Sequence, residues 1–435
     1  MALSDTSSSA GDGAQKAPAV HVPFLVALLF AVAMLKGLRM PSLWATTHMT
    51  FNYSHGFVRR GLFGQVLRIF GEERVYRYNS LFLCAAILFL LAALALFLLI
   101  RRTLASDRGD RGLQAALLVL AASPGVVFLV HEIGYLDYAG IVGVSFFILW
   151  ASRARRLFSI FYVAIPMSIV LALIHESMIV MFAPTLLFVM VCHGVTRGAG
   201  RPRRTCVLLV THTVLAATAA LAASWIAGVW GTASAEQIRA LQESIARHAN
   251  FPLRGDGFDA LGRSLRANLL EVLPTHWSQP VNRNYLITSL GVSLPGLAFL
   301  GSYGFRLLGR LSLDKRARWL LTSIFLAATV SPLLLNFIGW DSARWNAIAF
   351  LACFFCLAAT RLFFLAPQAA IDTEGKRHRI EDTPTLTFAA AAIVTGLCTS
   401  YYGYLFDGYV VQWFPFVGQF ESAIELVKGG FATIP

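Results

Sequence analysis

Charge is scarce in this sequence. Of 435 residues only 14% are Asp, Glu, Lys or Arg, against about 25% in an ordinary soluble protein. Together with 57% hydrophobic residues and a mean hydropathy of +0.65, this excludes a soluble multidomain enzyme, a disordered chain and a coiled coil. Loop cysteine is missing as well. Cys84, Cys192, Cys206, Cys353, Cys356 and Cys398 all fall within or at the ends of apolar runs, so no disulfide framework is expected. The Cys353-x-x-Cys356 spacing sits in an apolar run around Phe354 and Phe355 and reads as packing. Acidic residues are absent from the middle of every apolar run, which counts against a proton-coupled carrier.

What is present is a series of long apolar runs, and a bilayer core takes about 20 such residues per helix. The fold expected is all-α, a polytopic transmembrane helical bundle of about eleven spans. They fall at 20–38, 79–100, 113–130, 136–152, 157–174, 177–193, 205–227, 285–305, 319–338, 346–366 and 385–406. The run from Leu157 to His193 is too long for one helix, and His175-Glu176 divides it, because a charged pair at mid-bilayer is costly. Arginine is concentrated in alternate connections: Arg101-Arg102-Arg108-Arg111, Arg153-Arg155-Arg156, Arg197-Arg201-Arg203-Arg204, Arg306-Arg310-Lys315-Arg316-Arg318 and Lys376-Arg377-Arg379. That asymmetry predicts the N-terminus inside and the C-terminus outside. The net charge of +13 therefore reports topology, and no nucleic-acid partner follows from it.

The chain divides into a tail at 1–19, a seven-span module at 20–227, an outer loop at 228–284, a four-span bundle at 285–406 and an outer tail at 407–435. The tail at 1–19 lacks a basic start, and the first span is too long for a cleaved signal, so that span is expected to be an anchor.

Two outer segments are long. In 39–78, the stretch Asn52-Tyr53-Ser54-His55-Gly56-Phe57-Val58-Arg59-Arg60-Gly61 precedes Leu62, Phe63, Val66, Leu67 and Phe70 at helical spacing. This predicts an amphipathic helix on the membrane surface. Arg59 and Arg60 at its start oppose the helix dipole unless an anion joins them, so they are candidate phosphate ligands; the alternative is contact with lipid head groups. In 228–284, Ser234-x-x-Gln237 is a capping box, followed by Ile238, Leu241 and Ile245 on one face and by Arg239, Glu243 and Arg247 four apart. Phe258, Leu261, Leu265 and Leu269 trace a second stripe. Two short interfacial helices forming a lid or docking surface are expected, since neither has enough apolar surface for a core of its own.

The short outer loops carry the sharper signals: His131-Glu132-Ile133-Gly134-Tyr135-Leu136-Asp137, His175-Glu176, and Gly339-Trp340-Asp341-Ser342-Ala343-Arg344-Trp345. Carboxylates, imidazoles and an arginine at one depth suit a general base or a divalent metal, with Glu132, Asp137 and His175 as the candidate ligand set. The plainer alternative is that they cap helix ends, with the two indoles in an aromatic belt.

With these features the chain resembles the C-type superfamily of membrane glycosyltransferases, which includes oligosaccharyltransferase catalytic subunits, protein O-mannosyltransferases and aminoarabinose transferases. Gly134-Tyr135-Leu136-Asp137 is similar to that superfamily's acidic second-loop motif, and Ile174-His175-Glu176-Ser177 through Pro184 to the start of its sixth span. Arg344 lies near where some members place a phosphate-binding arginine. The resemblance implies transfer of a sugar from a polyprenyl-phosphate-linked donor to a glycan or lipid acceptor on the outer face of a bacterial inner membrane. It implies His131, Glu132, Asp137, His175 and Glu176 as bases or metal ligands, and Arg59, Arg60 and Arg344 as phosphate partners. Asp341, His55 and Asn52 stand as further site residues. One departure stands out: members carry a catalytic Asp in the first outer loop, and 39–78 has none, leaving His48, His55, Glu72 and Glu73 as replacements. Two other classes fit parts of the pattern. A polysaccharide polymerase or ligase of different fold would use the arginines of 228–284, and a secondary transporter or lipid flippase would use the same carboxylates as ion sites.

Overall fold

The computed structural model describes residues 22–37, 40–106, 110–198, 203–337, 339, 341–366, 389–390, 393, 402–405 and 408–411. The described helices run, in chain order, α1 Val22–Gly37, α2 Leu43–Met49, α3 Leu62–Arg68, α4 Glu72–Val75, α5 Tyr78–Ser106 and α6 Arg111–Ala122. They continue with α7 Pro124–His131, α8 Asp137–Ala151, α9 Ser159–Ile174, α10 Ser177–Gly198 and α11 Arg203–Trp230. After these come α12 Ala235–Ala246, α13 Gly255–Gly262, α14 Leu265–Ser278, α15 Pro280–Arg310, α16 Lys315–Leu334 and α17 Ser342–Thr360, which ends in a π-helical turn over Arg361–Leu365.

Helix α17 is the axis of the bundle. Every residue from Ser342 to Thr360 is buried, against α7, α10, α15 and α16. A helix apolar on all sides has no face to show to water, so it takes the centre. Cys353 and Cys356 lie on it as free, buried thiols. Around it α10 packs on α16, α9 on α11, α5 on α8, and α1 on α6 and α7. Side-chain caps fix several helix starts: Asp110 accepts from Leu113 N–H at α6, Asp314 from Ala317 N–H at α16, and Ser234 with Gln237 closes the expected capping box at α12. Between α6 and α7, Ser123-Pro124 bends the path by 44°, as a proline at a first helical position does when the residue before it is extended.

Helices occupy ten of the eleven expected spans, but fewer of them have the length to cross a bilayer. Six are long and apolar enough, or seven if α6 and α7 count as one. The apolar parts of α1 (Pro23–Met34), α8 and α9 fall short of the about 20 residues a hydrocarbon core requires. The expected span at 385–406 lies largely outside the described residues; its end, Tyr402–Leu405, is a strand paired antiparallel with Gly408–Val411.

The two long segments, 39–78 and 228–284, pack on each other at one end of the bundle. Arg59 N–H donates to Gly231 O (2.9 Å), Gln237 Nε2 to His55 O (3.3 Å), Arg254 N–H to Thr47 Oγ1 (3.1 Å) and Tyr78 N–H to Asn250 Oδ1 (2.8 Å). Phe51 meets Phe258 edge-on at 5.1 Å, and Leu241, Ile245 and Leu261 are buried with them. The segments that separately lack enough apolar surface thus share a core. Two sequence expectations need correction. The stripe from Phe258 to Leu269 is not one helix, because the chain turns at Arg263-Ser264 and Ser264 caps α14 anew. In α3 Leu67 is buried while Val66 is exposed, as are Ile69 and Phe70 just beyond its end, so only part of the apolar face is turned outward.

Candidate functional site

At the head of α17, Asp341 takes the N-cap position and Arg344 follows in the first turn. Arg344 grips Asp137, the first residue of α8, with two parallel bonds, Nη2 to Oδ1 (2.7 Å) and Nε to Oδ2 (2.5 Å), and reaches Asp341 Oδ2 with Nη1 at 3.2 Å. The rings of Trp345 and Tyr135 lie 4.6 and 4.8 Å from the guanidinium carbon, in cation–π range. Asp137 arrives here because the connection from α7 turns at Gly134 (φ 101°), where Pro41 and Ala45 crowd the position of a side chain. Burial raises the Asp341 carboxyl above its ordinary value, and Arg344 opposes that rise.

A second group forms where the two-residue connection between α9 and α10 meets the first long segment. Arg60 Nε lies 3.2 and 3.1 Å from the two oxygens of Glu176, and Arg60 Nη2 lies 2.6 Å from Oε1. Among the described residues Arg60 is the one non-glycine with positive φ, at 64°. That conformation costs on the order of 1–3 kcal/mol and persists where the surroundings enforce it. The bend separates two adjacent arginines. Arg59 turns instead to the carbonyls of Ala260 and Arg263, with Nη1 3.6 Å from Glu176 Oε1. His175 accepts from Ser177 N–H at Nδ1 (3.2 Å), with Ser177 Oγ at 2.7 Å, and Glu176 Oε2 stands 3.6 Å from the same nitrogen. A backbone donor on Nδ1 assigns the proton to Nε2.

The two groups belong to one polar region. The charges of Arg60 and Arg344 both act on His48, on His175 and on Asp341. His48, on α2, lies between Trp44 (4.4 Å) and Phe51 (5.0 Å), and its buried Nε2 has no hydrogen-bond partner. Burial first, and Arg60 second, push both His48 and His175 well below the ordinary imidazole value, so both are neutral near pH 7. Burial acts to raise Glu176, but the Arg60 guanidinium, with Arg59 beside it, outweighs burial and holds the carboxyl well below its ordinary range. The region therefore contains ionised carboxylate, guanidinium and neutral imidazole side by side.

The structure brings Arg59, Arg60, Asp137, His175, Glu176, Asp341 and Arg344 together and distributes the other expected residues differently. His131 and Glu132 are buried at the end of α7, where Glu132 N–H bonds the Phe128 and Leu129 carbonyls. Asn52 organises its own loop, donating to Tyr76 OH (2.8 Å) and accepting from Ser54 N–H (2.9 Å). His55 ties that loop to α12 through its carbonyl. Of the candidate metal set Glu132, Asp137 and His175, Asp137 is engaged by Arg344 and His175 Nδ1 by Ser177. No group of three His, Cys, Asp or Glu among the described residues has metal-holding geometry. Sequence reasoning named His48 only as a substitute base, because nothing local distinguishes it. It missed a buried cluster elsewhere, in which Arg361 Nη1 meets Asp110 Oδ2 (2.5 Å) and Tyr303 OH donates to the same oxygen (2.9 Å). The signal available was an arginine inside an apolar run.

An apolar cavity of about 1070 Å³ runs between α1 and α5, lined by Phe30, Met34, Phe89 and Phe97 among others. Arg101 stands on its wall, as do Leu129, Val130 and Tyr138, the residues flanking the 131–137 connection that delivers Asp137.

No curated protein and no solved structure matches the chain. The family model described as "Uncharacterised membrane protein Rv1490" matches residues 18–242, over half of the chain. The match takes in the apolar cavity's α1 and α5 walls and every residue of the polar region except Asp341 and Arg344. With several helices long and apolar enough to cross a bilayer, this chain is an integral membrane protein and belongs to the Rv1490 family of membrane proteins.

Proposed function

We propose that this protein is a membrane glycosyltransferase that moves a sugar from a polyprenyl-phosphate-linked donor to a glycan or lipid acceptor. The observations that carry the reading are a region of buried guanidinium, carboxylate and imidazole and an apolar cavity whose wall residues Leu129, Val130 and Tyr138 flank the connection that delivers Asp137 to it. A polyprenyl tail needs the second and its phosphate the first. In the reaction the acceptor oxygen forms a new bond to the anomeric carbon, the bond from that carbon to the phosphate oxygen breaks, and the leaving phosphate keeps the electron pair. Arg60 neutralises that charge, while Arg344, already balanced by Asp137 and Asp341, fixes the frame. The acceptor proton passes to Glu176, filling the role that the absent first-loop Asp leaves open. The reading carries with it the eleven-span, N-inside topology and an outward-facing site in a bacterial inner membrane, supported by the arginine asymmetry of the connections.

The test is turnover by purified protein in nanodiscs, with a panel of polyprenyl-phosphate-linked hexoses and pentoses, followed as release of polyprenyl phosphate. Glu176→Gln keeps shape and hydrogen bonding but removes the base, and kcat is expected to fall by at least about 100-fold with the fold intact. Turnover of a donor by Glu176→Gln at the wild-type rate, or no release from any donor by wild type, would sink the reading.

A further inference from the structure

We infer that Glu176 is an internal stand-in for the donor phosphate: it holds the Arg60 guanidinium until the donor phosphate arrives and displaces it, which frees Glu176 to act as the base. The inference rests on the proposed transferase reading and adds how the site is loaded.

Three observations single out this ion pair as the exchangeable one. First, the arginines differ in what holds them. The Arg344 side chain is 6% exposed and bound to two carboxylates between two rings, and Arg59 is 3% exposed and committed to backbone carbonyls of the second long segment. Arg60 and Glu176 are 13% and 20% exposed, and the Arg60 guanidinium bonds both oxygens of Glu176 through Nε and Nη2. Second, one carboxylate serves two guanidiniums, Arg60 at 2.6 Å and Arg59 at 3.6 Å. At this carboxylate two guanidiniums face one negative charge, and the neutral imidazoles of His48 and His175 add no charge of their own. A phosphate oxyanion pair presents the same two-pronged geometry to arginine as a carboxylate, with more charge. Third, Arg60 sits in a left-handed backbone conformation, next to Gly61, where a side chain would run into the Tyr53 ring, so the point from which its side chain leaves the backbone is held by the fold and not by Glu176.

Displacement alters Glu176 as well. Its carboxyl is held low mainly by Arg60 once burial is overcome. With that guanidinium transferred to phosphate, burial raises the proton affinity of the carboxylate as the acceptor hydroxyl arrives. The hydroxyl proton moves to Glu176, the acceptor oxygen bonds to the anomeric carbon, and the electron pair of the broken bond leaves on the phosphate that Arg60 holds. The site then generates its base only when the donor phosphate is bound.

The experiment measures binding to full-length protein in nanodiscs of neutral lipid, using decaprenyl phosphate, decaprenol and inorganic phosphate as probes. Since wild type must break the Arg60–Glu176 pair to bind, Glu176→Gln is expected to bind decaprenyl phosphate about tenfold or more tightly than wild type. Decaprenol binding should be unchanged, and adding Arg60→Gln should remove the gain. Glu176→Ala is run alongside, and thermal melting of each variant confirms folding. Equal or weaker decaprenyl phosphate binding by folded Glu176→Gln and Glu176→Ala overturns the exchange while leaving the transferase reading standing. A gain for inorganic phosphate alone supports the exchange and removes the lipid-linked donor. If no probe binds wild type or variant, both fall.

Discussion

Replacing Asp137 by Asn is expected to lower the stability of the folded protein by about 3–5 kcal/mol, seen as a lower melting temperature in detergent micelles. Asp137 and Arg344 are both buried, and their paired bonds join the start of α8 to the head of the central helix α17. Asn fills the same space but carries no charge, so the guanidinium is left with Asp341 at 3.2 Å and the faces of Tyr135 and Trp345. A buried charge that loses a partner costs far more than the pair contributes net. The combination Asp137→Asn with Arg344→Gln removes both charges and should melt above Asp137→Asn alone. A melting temperature for Asp137→Asn within error of wild type would show that Asp341 alone suffices for Arg344.

The second large effect is expected at Asp110. Arg361 is fully buried where α17 passes into its π-helical turn, and it meets Asp110 while Tyr303 donates to the same carboxylate oxygen. Asp110 has a separate task, capping α6 by accepting from Leu113 N–H at 3.0 Å. Asn caps about as well as Asp, so Asp110→Asn isolates the charge, and a loss of about 3–5 kcal/mol is expected. Asp110→Ala adds the lost cap, a further loss of about 1 kcal/mol. If Asp110→Asn melts with wild type while Asp110→Ala does not, the residue is a helix cap and the ion pair contributes nothing.

How far the sequence discloses this molecule depends on the range over which its signals act. Helix positions are legible because apolar runs and the polar residues ending them are local. The charged pair His175-Glu176 marks the end of α9 at Ile174 and the start of α10 at Ser177, and Ser234-x-x-Gln237 marks the start of α12. The number of spans is not legible in the same way, since α8 and α9 read as apolar runs yet are only 15 and 16 residues long. The candidate site is legible as a set of residue types but not as a set of pairs. Arg59 and Arg60 look equivalent in sequence, and only the backbone bend at Arg60 sends one to Glu176 and the other to Ala260 and Arg263. Glu132 and Asp137 share a loop, and nothing in their spacing tells that Asp137 bonds Arg344, a partner 207 positions away. His48 enters through the folding of α2 under the second long segment, and a lone histidine carries no local mark of that.

The central claim is that one lipid-linked anion lies with its tail in the α1–α5 cavity and its head at Arg60. Photocrosslinking tests it most directly, with a decaprenyl phosphate carrying a diazirine partway along the chain, reacted with wild type and with Arg60→Gln and mapped by mass spectrometry. The account predicts adducts on the cavity residues Phe30, Met34, Phe89 and Phe97, competed by unlabelled decaprenyl phosphate and strongly reduced in Arg60→Gln. Adducts confined to exposed apolar positions of α11 such as Val210, Val214 and Trp225, and indifferent to Arg60→Gln, would contradict it.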